Sequence, residues 1–234
     1  GLGTPPAKAD PDQSTSESPM EPLVKEMKVD VLASGLNFPE GPAFTKEGEL
    51  WCTELSGGNL ARWHSGEVER FPVSGNPNGL AIDRAGLLWV CDSRNNAIRT
   101  FEPRANRWET VIDQVDGGPL QAPNDLCFDP LGNLLFTCPN FMNTDPLGYV
   151  CCLTPDWKIH KIVEGFYRPN GLELSPDGKT LVVADTWQKA LFKGSWDADK
   201  RVWSNPQLWA EVGGSEGPDG LAWGIAGALD YDAP

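Results

Sequence analysis

The chain has 234 residues, 40% of them hydrophobic and ten of them Trp, which supports a sizeable core in most simply one domain and excludes disorder throughout. Its 33 Asp and Glu outweigh 19 Lys and Arg, and the formal charge of -14 repels a phosphate backbone, which argues against nucleic acid and favours cation attraction. No apolar run is long enough to cross a bilayer and no basic segment leads into one, so a cytoplasmic protein without membrane partners is expected.

Residues 1–22 hold five Pro, three Ser, two Thr and no aromatic, a composition that cannot offset its own ordering entropy, and a disordered Pro/Ser-rich tail is expected there. The folded domain is expected over 23–234. From Val24 onward the chain alternates short apolar runs with Gly, Pro, Asn or Asp, and no helical period is sustained, so the fold class is all-β. The first run opens at Pro39-Glu40-Gly41, turns at Gly48 and returns through Leu50-Trp51 to Glu54. The second opens at Pro77-Asn78-Gly79, turns at Gly86 and returns to Asp92; the third opens at Pro123-Asn124-Asp125, turns at Gly132 and returns to Cys138. The fourth opens at Pro169-Asn170-Gly171, turns at Gly178 and returns to Asp185, and a fifth opens at Pro218-Asp219-Gly220 with its glycine at Gly227. Each glycine falls eight positions after the lead residue, where a hairpin turn calls for positive φ.

Lead residues recur at intervals of 38, 46, 46 and 49. Four-stranded propeller blades take roughly 40 to 50 residues, so a β-propeller is expected, here with about four and a half blades. Helical solenoids are disfavoured because no unit holds an amphipathic helix, and a sandwich gives no reason for one lead motif five times.

In a propeller the innermost strand of every blade lines the central channel, so equivalent positions converge. The lead residues Glu40, Asn78, Asn124, Asn170 and Asp219 each carry a side-chain oxygen. Two carboxylates with amide oxygens suit one hard divalent cation, Ca²⁺ first, with Mg²⁺, Mn²⁺ or Zn²⁺ also accommodated. Pro-Asn-Gly and Pro-Asp-Gly are also ordinary turn formers, but five copies in register favour a site. Asn78 is the weakest ligand of the five. The return-strand ends Glu54, Asp92 and Asp185 are expected to stand behind the cation's ligands and orient them or, equally, to cap the blade loops through backbone amides. Six cysteines include no Cys-x-x-Cys pair and sit in apolar runs, which reads as buried packing in a reducing compartment. His64 and His160 stand outside the motifs and read as surface residues.

The ordered set Phe38-Pro39-Glu40-Gly41-Pro42, Ala122-Pro123-Asn124-Asp125, Arg168-Pro169-Asn170-Gly171-Leu172 with Ser175-Pro176-Asp177-Gly178, and Gly217-Pro218-Asp219-Gly220 resembles the SMP-30-like gluconolactonase and regucalcin family over about Val29 to Trp223. The resemblance implies a six-bladed propeller and one divalent cation held by Glu40, Asn124, Asn170 and Asp219. It also implies hydrolysis of a small-molecule sugar lactone, with Asp219 as the general base and Asn78 and Asn124 near substrate. The ion would polarise the lactone carbonyl while the attacking water loses its proton to Asp219 or is activated on the ion itself. Two departures stand out: some relatives carry arginine where this chain has Ala122, and six blades at the observed spacing need roughly 270 residues, so the propeller reads as C-terminally incomplete. The loop from Pro139 to Pro146 is expected to overhang the channel and set specificity. Oligomeric state is not legible. Other functions fit the same architecture: a phosphotriesterase-like hydrolase, a noncatalytic Ca²⁺-binding or interaction propeller, and, less well, strictosidine-synthase-like chemistry.

Overall fold

The computed structural model describes residues 29–141, 144–224 and 229–231, so the expected tail over 1–22 and the turn glycine Gly227 lie outside the described residues. Among the described residues every regular element is a strand. Strands β1 (Pro39–Phe44), β2 (Leu50–Glu54), β3 (Asn59–His64) and β4 (Glu67–Pro72) pair in chain order as the first antiparallel blade. The second blade is β5 (Pro77–Ile82), β6 (Leu88–Asp92), β7 (Ala97–Glu102) and β8 (Arg107–Ile112), followed by a short ribbon of β9 (Gln114–Val115) and β10 (Gly118–Pro119). The third comprises β11 (Leu126–Phe128), β12 (Leu134–Cys138), β13 (Gly148–Leu153) and β14 (Ile159–Phe166). The fourth comprises β15 (Pro169–Leu174), β16 (Thr180–Asp185), β17 (Ala190–Asp197) and β18 (Val202–Glu211), and β19 (Leu221–Trp223) pairs with β20 (Leu229–Tyr231). This is the expected propeller, and the return strands end on Glu54, Asp92, Cys138 and Asp185 as read from the sequence.

The repeat is chemical as well as geometric. Gly48, Gly86, Gly132 and Gly178 take φ of 84°, 84°, 85° and 69°, the left-handed region that a side chain would strain. Three residues ahead of each stands a short polar side chain that closes the same turn: Thr45, Asp83, Asp129 or Ser175. Asp83 accepts from the amides of Ala85 at 2.8 Å and Leu87 at 3.0 Å, and Asp129 from Leu131 and Asn133, both at 2.9 Å.

The core lies between blades. Trp51, Leu60, Leu88 and Phe101 join the first blade to the second, and Ile98, Leu126, Phe136 and Cys151 join the second to the third. Leu135, Val163, Leu172 and Phe192 join the third to the fourth, whose outer face, with Val182 and Leu191, is covered by Leu221, Trp223 and Leu229. Each strand must therefore be apolar towards both neighbouring blades, which is why β12 and β13 are buried along their whole length.

Candidate active site in the central channel

Strands β1, β5, β11, β15 and β19 surround one channel of about 910 Å³, and all five lead residues, Glu40, Asn78, Asn124, Asn170 and Asp219, line it. Two of them sit differently from the rest: β11 and β19 begin two residues after Asn124 and Asp219, which precede the ladder, whereas Glu40, Asn78 and Asn170 lie within strands. In those three strands a bulge follows the lead position, between Glu40 and Ala43, Pro77 and Leu80, and Pro169 and Leu172. Such bulges re-aim the backbone at a sheet end.

Neighbouring blades are bonded to one another at this level. The Gly79 amide donates to Asn124 O at 2.6 Å, and the Gly171 amide to Asp219 O at 3.0 Å. Thr53 donates to Asn78 O at 2.7 Å, Thr137 to Asn170 O at 2.8 Å, and Thr186 to Pro218 O at 2.8 Å. Asn170 Nδ2 donates to Thr186 Oγ1 at 3.1 Å, which commits the amide nitrogen and leaves its oxygen as the group to present. In the second and fourth copies the glycine after the lead residue is forced by this packing: a Cβ on Gly79 would lie 2.6 Å from Asn124 O, and one on Gly171 2.3 Å from Asp219 O, whereas one on Gly220 meets nothing within 4 Å.

The third copy breaks that rule with Asp125. Its Oδ2 reaches across to accept from the Leu172 amide at 3.3 Å, and its Oδ1 accepts from the Leu126 amide at 2.9 Å. Asp125 lines the channel, as does Glu173, and neither was singled out in the sequence. A signal existed for both: Asp125 occupies the one lead-plus-one position that is not Gly, and Glu173 stands where the other copies have Ala43, Ala81, Cys127 and Ala222. Glu40, Asp125, Glu173 and Asp219 thus share one channel whose lining includes no Lys, Arg or His. Burial pushes the Asp125 carboxyl up to about 7, the Leu126 and Leu172 amides oppose this, and the charges of Glu173 and Asp219 add to it. Burial likewise raises Glu173.

Among the described residues no three His, Cys, Asp or Glu side chains gather as metal ligands, so a cation here would draw on the Asn oxygens as well as carboxylates. That mixed oxygen set suits Ca²⁺ or Mg²⁺ better than Zn²⁺. Cys52, which also lines the channel, has its thiol pushed up to about 11, chiefly by burial, and is a poor ligand.

Glu54, Asp92 and Asp185 are buried but do not line the channel. Their oxygens serve the segments that enter the lead strands. Glu54 accepts from the Asn37 amide at 2.9 Å and from Arg70 Nε at 2.9 Å; Asp92 accepts from the Asn76 amide at 3.1 Å and from Arg99 at 2.9 Å. Asp185 accepts from the amides of Tyr167 at 2.9 Å and Arg168 at 3.1 Å. This is the loop-capping arrangement. The third blade, with Cys138 at that place, satisfies the same amides otherwise: Gln121 N donates to Tyr149 Oη at 3.1 Å and Ala122 N to Asn96 Oδ1 at 2.8 Å.

Of the loop from Pro139 to Pro146, Asn140 and Phe141 line a second, smaller cavity together with Ala122, and Met142 and Asn143 lie outside the described residues. His64 is exposed, with 63% of its side chain accessible, and His160 lies in the outer strand β14, so neither reaches the channel.

Residues 38–229 match the model of a family described as SMP-30/Gluconolactonase/LRE-like region. A gluconolactonase of Zymomonas mobilis is 31% identical over 183 residues, covering 68% of this chain and 51% of that protein. A lactonase, drp35, of Staphylococcus aureus is 28% identical over 193 residues, covering 79% of this chain and 59% of that protein. The chain therefore spans between half and three fifths of the length of these curated relatives. Among solved structures, a gluconolactonase from Xanthomonas campestris superposes with a TM-score of 0.78 at 25% identity, covering 86% of this chain and 71% of that one. A calcium-binding protein, regucalcin, from Agrobacterium tumefaciens gives a TM-score of 0.73 at 19% identity, covering 86% and 69%, a likeness of fold alone. With the family model matched over nearly the whole described chain and the propeller in place, the chain belongs to the SMP-30/gluconolactonase/LRE-like family.

Proposed function

We propose that this chain carries the active site of a divalent-cation-dependent hydrolase that opens a lactone ring, of sugar-lactone type. The observation that carries the reading is the single channel in which Glu40, Asn124, Asn170 and Asp219 stand together with no competing basic side chain. The names of the gluconolactonase and lactonase relatives support the reaction class. Glu40, Asn124, Asn170 and Asp219 would hold the ion, Ca²⁺ first, which when bound polarises the lactone carbonyl and offsets the oxyanion charge. Asn78 and Asn124, both buried at the channel wall, orient the ring by amide hydrogen bonds. Asp219 takes a proton from the attacking water; the resulting hydroxide oxygen bonds to the carbonyl carbon, the ring C–O bond breaks, and the ring oxygen leaves with that proton as an alcohol. Glu54, Asp92 and Asp185 act on the ring only through the backbone they hold.

Asp219→Ala is expected to abolish both Ca²⁺ binding by calorimetry and lactone opening in a pH-drop assay, with a loss of at least about a hundredfold in rate. Full activity in that variant overturns the assignment. If Ca²⁺ raises thermal stability while no lactone is opened, the chain is a noncatalytic cation-binding propeller; if a fluorophosphate ester is cleaved in place of a lactone, the same ring serves phosphorus chemistry.

A further inference from the structure

We propose that a cavity of about 460 Å³ beside the channel, between the second and third blades, is a subsite for an anionic substituent of the substrate, a carboxylate or a phosphate. This rests on the lactone-hydrolase reading. Its place follows from the chain: Asn76 and Ala122 line it, and each stands two residues before a channel-lining asparagine, Asn78 or Asn124. Two extended residues span about 7 Å, so a group attached to a ring held by those asparagines can reach the cavity.

The chemistry of the wall is opposite to that of the channel. Four carboxylates line the channel, whereas the cavity is lined by Arg94, Asn96, Gln121, Asn140 and Phe141 and includes no acidic residue. Arg94, in the turn between β6 and β7, makes no salt bridge or hydrogen bond among the described residues. In a chain with 33 acidic side chains, an exposed arginine on the wall of a polar cavity and without a carboxylate partner is available for one.

A second guanidinium packs on Phe141, carried by a residue that does not itself line the cavity. Arg168 precedes Asn170 by two residues, the relation that Ala122 bears to Asn124, so the next blade supplies an arginine at the position the third blade lacks. Its guanidinium lies over the Phe141 ring at 4.6 Å and over the Trp187 ring at 5.7 Å. Two aromatic faces hold the planar fork in place without consuming its hydrogen-bond donors. Phe141 serves both, as wall of the cavity and as support for Arg168. Neutral hydroxyls would be met by the amides alone; Arg94, on the cavity wall, adds a preference for negative charge against the repulsion of an acidic protein, and Arg168, packed on the Phe141 wall, adds to the local positive field.

The test compares kcat/KM for neutral D-glucono-1,5-lactone, for D-glucaro-1,4-lactone, which carries a carboxylate, and for 6-phospho-D-glucono-1,5-lactone. The chain, Arg94→Gln, Arg168→Gln and Arg168→Lys are assayed side by side. The ratio of anionic to neutral kcat/KM is expected to fall by about tenfold in Arg94→Gln, mainly through KM, and by about threefold in Arg168→Gln, with recovery in Arg168→Lys. Whichever anionic lactone has the larger ratio identifies the group. A ratio within about twofold of the parent in Arg94→Gln overturns the subsite. Calorimetric binding of tetrahydrofuran-2-carboxylate, a ring acid that cannot be hydrolysed, separates the two readings. Arginine-dependent binding without opening of any lactone removes the hydrolase reading and keeps the subsite; lactone opening with unchanged ratios does the reverse.

Discussion

Glu54 shows how much a single side chain holds. With 1% of its side chain exposed, it takes Arg70 and the Asn37 amide at once, fixing the approach to Glu40. Burial would raise its carboxyl, but the bonds from Arg70, Asn37 and Asn59 hold it below its ordinary value of 4.5. A carboxyl depressed in the folded state stabilises above the unfolded value and loses that contribution as pH falls through the folded one. Glu54→Gln is therefore expected to lower the melting temperature at about pH 7 and to shed less further stability than the parent on acidification to about pH 3, as thermal melts at both pH values would show. A larger acid loss in the variant contradicts this. The sequence displayed Glu54 as the end of a return strand but left its role open, because a carboxylate at a strand end faces the channel or the loop with equal ease. Asp125 was less legible still: its reach to the Leu172 amide depends on the distance between blades, which no periodicity within one blade encodes.

Among elements, the inner strands are the informative ones. Period, turn glycines and return-strand ends were all readable because each is local. The bonds between inner strands were not, although the reason for Gly at the lead-plus-one position is visible once they are seen. Gly79→Ala places a methyl group against Asn124 O and the Asp125 backbone, neither of which is a flexible side-chain end. A cost of about 2 kcal/mol is expected in urea unfolding, together with weaker Ca²⁺ binding, since Asn124 must shift to relieve the contact. Gly48→Ala, which meets nothing within 4 Å but keeps a φ of 84°, is expected to destabilise through backbone strain while leaving Ca²⁺ binding near that of the parent. Equal losses of binding in the two variants would break the link between inner-strand contact and the ring.

On the scale of the molecule, stability resides in the surfaces between blades, and every cysteine but the channel-lining Cys52 belongs to those surfaces. All six are free and buried, and burial raises the thiols of Cys52 to about 11 and Cys152 to about 12. In the native chain Ellman's reagent is expected to find less than about one reactive thiol over minutes, and all six only after denaturation. Rapid native labelling of any cysteine other than Cys52, which lines the channel, would show that a blade interface opens. The sequence anticipated this because Cys in an apolar run packs as a small hydrophobe, whereas the cavity between the second and third blades is made by loops from three separate repeats, of which only Ala122 and the loop from Pro139 to Pro146 stood out in the sequence.

The backbone bonds from Gly79 to Asn124 and from Gly171 to Asp219 cross between blades at the height of the donor ring. Asn124, whose own amide also donates to Thr137 O, is thus tied to a neighbouring blade as well as to its own, as the leaves of an iris are. An aperture of this kind changes diameter only when blades tilt together, so its radius is a collective quantity. Ca²⁺ and Mg²⁺ prefer oxygen distances that differ by about 0.4 Å, and discrimination between them would then be written in the packing of glycines and in blade angle rather than in the identity of any ligand.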